Sequence, residues 1–128
     1  MIVLDTCALL WWTLEPRSLS ARASKACARI ETEGGIISAI SIWEAGLKAK
    51  RGDLDLGTTI NNYANRVKKI SGLQIAAVDE KNWIESLELE WPHRDPADRV
   101  IVALASAYHC GLVTKDQMIR DFYAKSIW

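Results

Sequence analysis

The chain has 128 residues, 49% hydrophobic and 25% charged, which predicts one soluble globular domain, residues 1–128, with a single substantial core. Lys and Arg number 16, as do Asp and Glu, so the net charge is zero and any nucleic-acid partner must be bound by local positive charge. The three widely spaced cysteines argue against a disulfide framework or a zinc knuckle and favour free thiols in the cytoplasm. No signal peptide and no apolar span of ~20 residues is visible, which argues against a membrane protein.

The first four residues are apolar and run directly into Asp5. A short apolar run without polar alternation predicts a strand buried on both faces. A helix is predicted to follow at residues 7–14. Ligands of open α/β sheets bind outside the carboxyl ends of the strands, so Asp5 is a candidate functional residue.

The rest of the chain alternates strands with helices. Asp95 and Pro96 form a strong helix start, and Gly111 is predicted to end that helix. This alternation predicts an α/β fold in which helices cover both faces of a parallel sheet of four to five short strands. Helices are predicted at 21–33, 39–50, 58–69, 79–89, 96–109 and 116–123, and strands at 36–38, 73–78, 112–114 and 126–128.

Two further acids lie on apolar helix faces. Glu44 shares a stripe with Ile40, Trp43 and Leu47, and Asp98 is in line with the apolar run at 100–107. Buried carboxylates are costly unless they are paired or bound to metal, and neither face carries an interleaved Lys or Arg. Burial on these faces therefore favours a functional role for both acids.

Asp5 and Asp116 end strands, whereas Glu44 and Asp98 lie in the first turns of helices that leave the same edge of the sheet. Helical side chains lean toward the N-terminus, so all four carboxylates are expected to converge. Such a group raises its own pKa values and suits a hard divalent cation, Mg²⁺ or Mn²⁺. The site would hydrolyse a phosphodiester with a water activated by the metal. Candidate phosphate contacts are Lys48, Arg94 and Arg99, and Arg99 could instead orient the carboxylates.

Each acid also has a purely structural interpretation. Asp5 and Asp116 could be simple N-caps, and Asp98 could be an acid in a first helical turn that is favoured by the helix dipole. Glu44 could close a capping box with Ser41, because residues 41–44 fit the S-x-x-E pattern.

Taken together, these motifs resemble the PIN-domain ribonucleases, and specifically the VapC-type toxins of toxin–antitoxin pairs. The matching segments are 4–12 (LDTCALLWW), 41–48 (SIWEAGLK), 93–99 (HRDPADR) and 112–116 (LVTKD), and the closing Ile127-Trp128 is also similar. The resemblance spans essentially the whole chain. Two positions depart from it, because Cys7 stands where His is common and Ala97 where Phe is common.

The resemblance implies a three-layer α/β/α PIN-like fold and metal-dependent cleavage of RNA. The acidic quartet around Mg²⁺ or Mn²⁺ would be Asp5, Glu44, Asp98 and Asp116. It also implies that the hydroxyls of Thr6 and Thr114 support these acids. The implied partners are a cognate antitoxin, whose tail blocks the active site, and a second copy that brings two acidic sites into one groove.

Three other classes of protein are weighed against this interpretation. A response-regulator receiver needs an acidic pair near the first strand, which is missing before Asp5. A phosphatase with an aspartyl nucleophile needs a second Asp where Cys7 stands. A non-catalytic module that only binds RNA is the third alternative. Trp11, Trp12 and Trp43 are expected in core or dimer packing rather than in base stacking.

Overall fold

A computed structural model describes residues 1–128 as five short strands and eight α-helices. All five strands run parallel in one sheet, in the order β3-β2-β1-β4-β5. The strands are β1 Ile2–Leu4, β2 Gly35–Ser38, β3 Leu73–Ala76, β4 Gly111–Val113 and β5 Ser126–Ile127. The helices are α1 Thr6–Leu14, α2 Ala21–Ala28, α3 Ile30–Glu33, α4 Ala39–Lys50, α5 Ile60–Lys68, α6 Glu80–Glu88, α7 Pro96–Ala107 and α8 Gln117–Phe122.

Helices cover the sheet on both faces, as the alternating pattern predicts. Successive strand residues point to opposite faces, so Leu4 and Val113 pack into one core with α1, α2, α4 and α5. Val3 and Leu112 pack into a second core with α7 and α8. The predicted three-layer α/β/α architecture with a parallel central sheet is confirmed.

The strand order places the carboxyl ends of β1 and β4 at the centre of the molecule. From β1 the chain builds β2 and β3 to one side, and then returns to place β4 and β5 on the other. Such a reversal creates a crevice between the two central strands, where ligands of doubly wound sheets bind. The order also differs from the 2-1-3-4-5 order of receiver domains, which excludes that alternative.

Three predicted details of the helices are wrong. The single helix at 21–33 breaks at Arg29, which separates α2 from α3. Helix α7 ends at Ala107, and His109, with φ of 52°, occupies the left-handed position predicted for Gly111. Gly111 instead begins β4, where an added Cβ would lie 2.7 Å from the Ile127 side chain. The glycine does not mark the end of the helix, because it is already paired with Ile2 in the sheet.

The predicted apolar stripe of α4 is also wrong. Trp43 is 62% exposed, whereas Ser41 and Ala45 are the residues that α4 buries. The polar Ser41 faces the interior because the Thr6 hydroxyl lies there as its partner. No helix has both the length and the apolar character needed to cross a membrane.

Candidate active site

Asp5 follows β1 directly and is almost completely buried, with 5% of its surface exposed. Its backbone N–H donates to the Val113 carbonyl of β4, and its Oδ1 accepts from the Ala8 N–H at 2.7 Å. The residue therefore caps α1 while its carboxyl group stays at the crevice between β1 and β4. Burial is the main reason that the pKa of Asp5 is raised to about 6. Hydrogen bonding to the Thr114 hydroxyl and the Ala8 N–H lowers this pKa in part, and the charges of Asp98 and Asp116 raise it further.

Asp116 follows β4 on the other side of the crevice. Its Oδ1 accepts from the Ile119 N–H at 3.0 Å, which caps α8, and its own N–H donates to the Thr114 hydroxyl at 3.0 Å. The structural interpretation as N-caps is thus correct for Asp5 and Asp116. It does not compete with a functional role, because capping occupies one carboxylate oxygen and leaves the group at the strand end.

Glu44 lies in the second turn of α4 and is half-buried. It does not close a capping box with Ser41, because α4 begins at Ala39 and Ser38 is its N-cap. Instead the Thr6 hydroxyl donates to the Glu44 carboxylate and lies 2.9 Å from the Ser41 hydroxyl. Burial raises the pKa of Glu44, and the charges of Asp95 and Asp98 raise it further. The predicted support from Thr6 is present as a direct contact.

Asp98 lies in the first turn of α7, as predicted, and contacts a histidine. Its Oδ2 is 2.7 Å from Nε2 of His93, with 15% of the His93 side chain and 20% of the Asp98 side chain exposed. Burial raises the pKa of Asp98, and Asp95 and Asp116 add to this, whereas His93 opposes it. His93, Asp95 and Asp98 each bring one potential ligand atom within 4.8 Å of the others.

One cavity of about 340 Å³ collects these groups at the crevice. All four predicted acids line it, together with Thr6 and Asp95. Of the predicted phosphate contacts, Lys48 lines the cavity, whereas Arg94 and Arg99 do not. The acids come from four separate segments of the chain, so only the fold brings them together.

The cavity holds more negative charge than its own residues neutralise. Asp98 pairs with His93, and no Lys, Arg or His side chain lies within 4.0 Å of the carboxylates of Asp5, Glu44 or Asp116. Carboxylate and hydroxyl oxygens are the donors that Mg²⁺ and Mn²⁺ favour. The residues present therefore fit a hard divalent cation, which would supply the missing positive charge.

Sequence reasoning missed two functional candidates. Asp95 was assigned only as the N-cap of α7, a role it has, yet it also lines the cavity. Lys115 lines the cavity as well, and its Nζ lies 5.6 Å from the centroid of the Trp11 ring, which itself packs on Trp128. Its place between Thr114 and Asp116 at the end of β4 was a signal that could have identified it.

Comparison with known proteins agrees with this geometry. Residues 2–125 match the family model of the PIN domain. Ribonuclease VapC22 of Mycobacterium tuberculosis is 27% identical over 123 residues, which are 94% of this chain and 90% of that protein.

Two solved structures share the fold. A toxin–antitoxin complex from Klebsiella pneumoniae contains a chain that is 19% identical, with a TM-score of 0.64 over 93% of this chain and 90% of the other. FitAcB from Neisseria gonorrhoeae contains a chain that is also 19% identical, with a TM-score of 0.67 over 98% of this chain and 95% of the other.

Proposed function

The chain belongs to the PIN domain family, and from this premise we propose that it is a metal-dependent endoribonuclease, the toxin of a toxin–antitoxin pair. Support comes from the ribonuclease VapC22 and from the toxin–antitoxin complex among its structural neighbours. We take residues 1–128 to form one nuclease domain, in line with a family match over residues 2–125. An RNA substrate and three free thiols favour the cytoplasm as its location.

One observation carries the proposal. Asp5, Glu44, Asp98 and Asp116 line a single cavity at the crevice between β1 and β4, and three of them lack a cationic partner. Keeping uncompensated carboxylates together costs stability, so a structural role alone does not account for the arrangement. A purely RNA-binding module would need positive charge at this position rather than four acids.

The four carboxylates would hold Mg²⁺ or Mn²⁺. When bound, such a cation makes water a stronger nucleophile and neutralises the charge that develops on the phosphate. The Thr6 hydroxyl holds the Glu44 carboxylate, and the Thr114 hydroxyl interacts with Asp5.

Lysines of the cavity would bind the RNA backbone. Lys48 and Lys115 line the same cavity as the acids, so a phosphate that enters it comes within reach of both ammonium groups. The Trp11 ring beneath Lys115 limits where that side chain can lie. We therefore keep Lys48 and add Lys115 as the proposed phosphate contacts of this cavity, which Arg94 and Arg99 do not line.

Protein partners would bind the apolar surface beside the cavity. A second cavity of about 470 Å³ is lined by Trp43, Trp83 and Pro96, and it shares Glu44 and Asp95 with the acidic cavity. A segment of the cognate antitoxin that fills this groove would cover the acidic site.

A second copy of the chain would bind next to this groove. Trp83, Ile84 and Leu87 of α6 are 43%, 46% and 78% exposed. Large apolar side chains grouped on one helix are typical of protein interfaces. We therefore propose this face of α6 for a homodimer.

Cleavage of RNA by the purified protein, freed of any antitoxin, tests the proposed function. We expect discrete fragments with Mg²⁺ or Mn²⁺, intact RNA with EDTA and intact RNA for Asp98→Asn. The exposed Asp53→Asn is the matched control and should cleave like the wild type. RNA that is bound but left intact under every condition would instead favour the non-catalytic module.

A further inference from the structure

The guanidinium group of Arg99 fixes the segment between α6 and α7. Its Nε donates to the Ser86 carbonyl at 3.0 Å and its second terminal nitrogen to the Leu89 carbonyl at 3.0 Å. The remaining nitrogen donates to the carbonyls of Trp91 and His93, the latter at 2.9 Å. All three nitrogens are thus used within the protein, and Arg99 does not line the acidic cavity.

Aromatic packing holds the same segment from the other side. The Trp91 ring stacks on Phe122 with centroids 4.8 Å apart and an angle of 10° between the planes. The His93 ring packs on Trp91 at 4.6 Å. Trp91 is 9% exposed and belongs to the core beneath α7 and α8. The His93 imidazole is therefore held in two ways, by the bond from Arg99 to the His93 backbone carbonyl and by contact with the buried Trp91 ring.

The His93 ring in turn contacts the Asp98 carboxylate at 2.7 Å. The other three acids of the predicted quartet are also anchored. Asp5 and Asp116 are held by N–H groups of their own helices, and Glu44 is held by the Thr6 hydroxyl. Asp98 alone depends on a side chain from an irregular loop, and this is the loop that Arg99 holds in place.

We infer that His93 is a positioning residue, which donates from Nε2 to orient the Asp98 carboxylate, and that Arg99 acts on the site through His93. This inference rests on the proposed function, because it assumes that Asp98 is a metal ligand. Partners that orient a ligand typically contribute 10- to 100-fold to metal affinity. The role of Arg99 is therefore to shape the site rather than to contact the RNA phosphate.

Two other roles make different predictions. If His93 were itself a ligand, as its place within 4.8 Å of Asp95 and Asp98 would allow, its Nε2 would be unprotonated, because a ligand nitrogen must offer its lone pair to the metal. If Arg99 contacted phosphate, its loss would weaken RNA binding and leave metal affinity unchanged.

Calorimetric titration of the metal-free protein with Mn²⁺ distinguishes these roles. We expect His93→Ala to weaken Mn²⁺ binding about 10- to 100-fold, and His93→Gln, whose amide keeps a donor near the Nε2 position, to recover most of the loss. Arg99→Lys cannot reach all four carbonyls and should weaken binding in the same direction. Because Arg99 acts through His93, the double variant should bind no more weakly than His93→Ala alone. Arg94→Lys, an exposed change in the same loop, is the matched control.

Nitrogen-15 NMR of the metal-free protein tests the hydrogen bond without the metal. We expect Nε2 of His93 to carry its proton in the wild type and its resonance to shift in Asp98→Ala. Wild-type protein that shows this bond but binds no Mn²⁺ would overturn the proposed metal site and leave the hydrogen bond standing.

Three results would overturn the positioning role itself. These are an unprotonated Nε2, equal Mn²⁺ affinity of His93→Ala and wild type, or a His93→Gln variant that binds as weakly as His93→Ala. Denaturant melts of every variant establish that the compared proteins are folded, and the Gln variant keeps the test valid where Ala does not fold.

Discussion

Asp5→Asn should make the metal-free protein more stable at neutral pH, although it removes a proposed metal ligand. Asp5 is 5% exposed and its pKa is raised from 3.8 to about 6 by burial and by neighbouring acids. A difference of about two pH units corresponds to ~3 kcal/mol of unfavourable free energy for the ionised group. Asn carries no charge, and its side-chain oxygen can still accept from the Ala8 N–H.

The pH dependence has a definite sign. A carboxyl group whose pKa is raised by folding is bound to its proton more tightly in the folded state than in the unfolded state. Below the unfolded-state pKa of 3.8, Asp5 is protonated in both states and its pKa shift does not change the free energy of unfolding. As the pH rises from there toward the folded-state pKa of about 6, the wild type loses stability. The advantage of Asp5→Asn should therefore grow from near zero to about 2–3 kcal/mol across this window and then stay constant.

Urea denaturation in EDTA at several pH values measures this difference. Asp79→Asn is the matched control, because Asp79 also caps a helix through Oδ1, at 2.9 Å from the Asn82 N–H, but is exposed. It should lose roughly 0.3–1 kcal/mol through the weaker helix-dipole interaction, the opposite sign. An Asp5→Asn variant that is less stable than wild type at neutral pH, or a difference that does not change with pH, would refute the reasoning.

Adding Mn²⁺ should reverse the order. A ligand at 1,000 times its dissociation constant stabilises the protein that binds it by about 4.1 kcal/mol, which is more than the advantage of Asp5→Asn. The wild type should gain this stabilisation, and Asp5→Asn should gain little. An equal gain by both proteins would place the bound ion away from Asp5.

Three further predictions concern other parts of the molecule. Lys115→Gln should weaken binding of single-stranded RNA and lower the slope of log affinity against log salt by about 0.7. Lys68→Gln, which does not line the cavity, should leave the slope unchanged. Equal slopes for the wild type and both variants would contradict a phosphate contact. Trp43→Ser should weaken antitoxin binding in a pull-down titration, and unchanged binding would argue against the groove as the antitoxin site. The same change should alter the free energy of unfolding by less than about 0.5 kcal/mol, because Trp43 is 62% exposed. Gly52→Ala, at positive φ with nothing near the added Cβ, should lose ~1 kcal/mol of stability to backbone strain in denaturant melts. Gly72→Ala has the same strain and should lose several-fold more in total, since its Cβ would also meet the Ile30 carbonyl; equal losses would contradict the clash.

The order and type of the elements were predictable from local signals. Short apolar runs, caps such as Asp5 and Asp116, and the Asp95-Pro96 start depend on neighbouring residues, and the structure confirms each of them. The parallel sheet followed from the alternation of strands and helices. These features are visible in the sequence because the physical forces behind them act over a few residues.

The environment of each side chain was decided only by the tertiary structure. Trp43 was expected in core or dimer packing and is exposed on the single chain, because α4 turns Ser41 and Ala45 toward α1 and uses Thr6 as the partner of a buried hydroxyl. Arg99 was expected either to contact the RNA or to orient the carboxylates, and only the folded chain shows that it binds four carbonyls of a loop. Sequence alone identified four acids as candidates, since acids at strand ends and on apolar helix faces are visible in one dimension. Thr6 and Thr114 were named as supporting hydroxyls only through the family resemblance, and sequence alone could not assign each anchor to its acid. Hydrogen bonds such as Thr6 to Glu44 join residues 38 positions apart that only the folded sheet brings into contact.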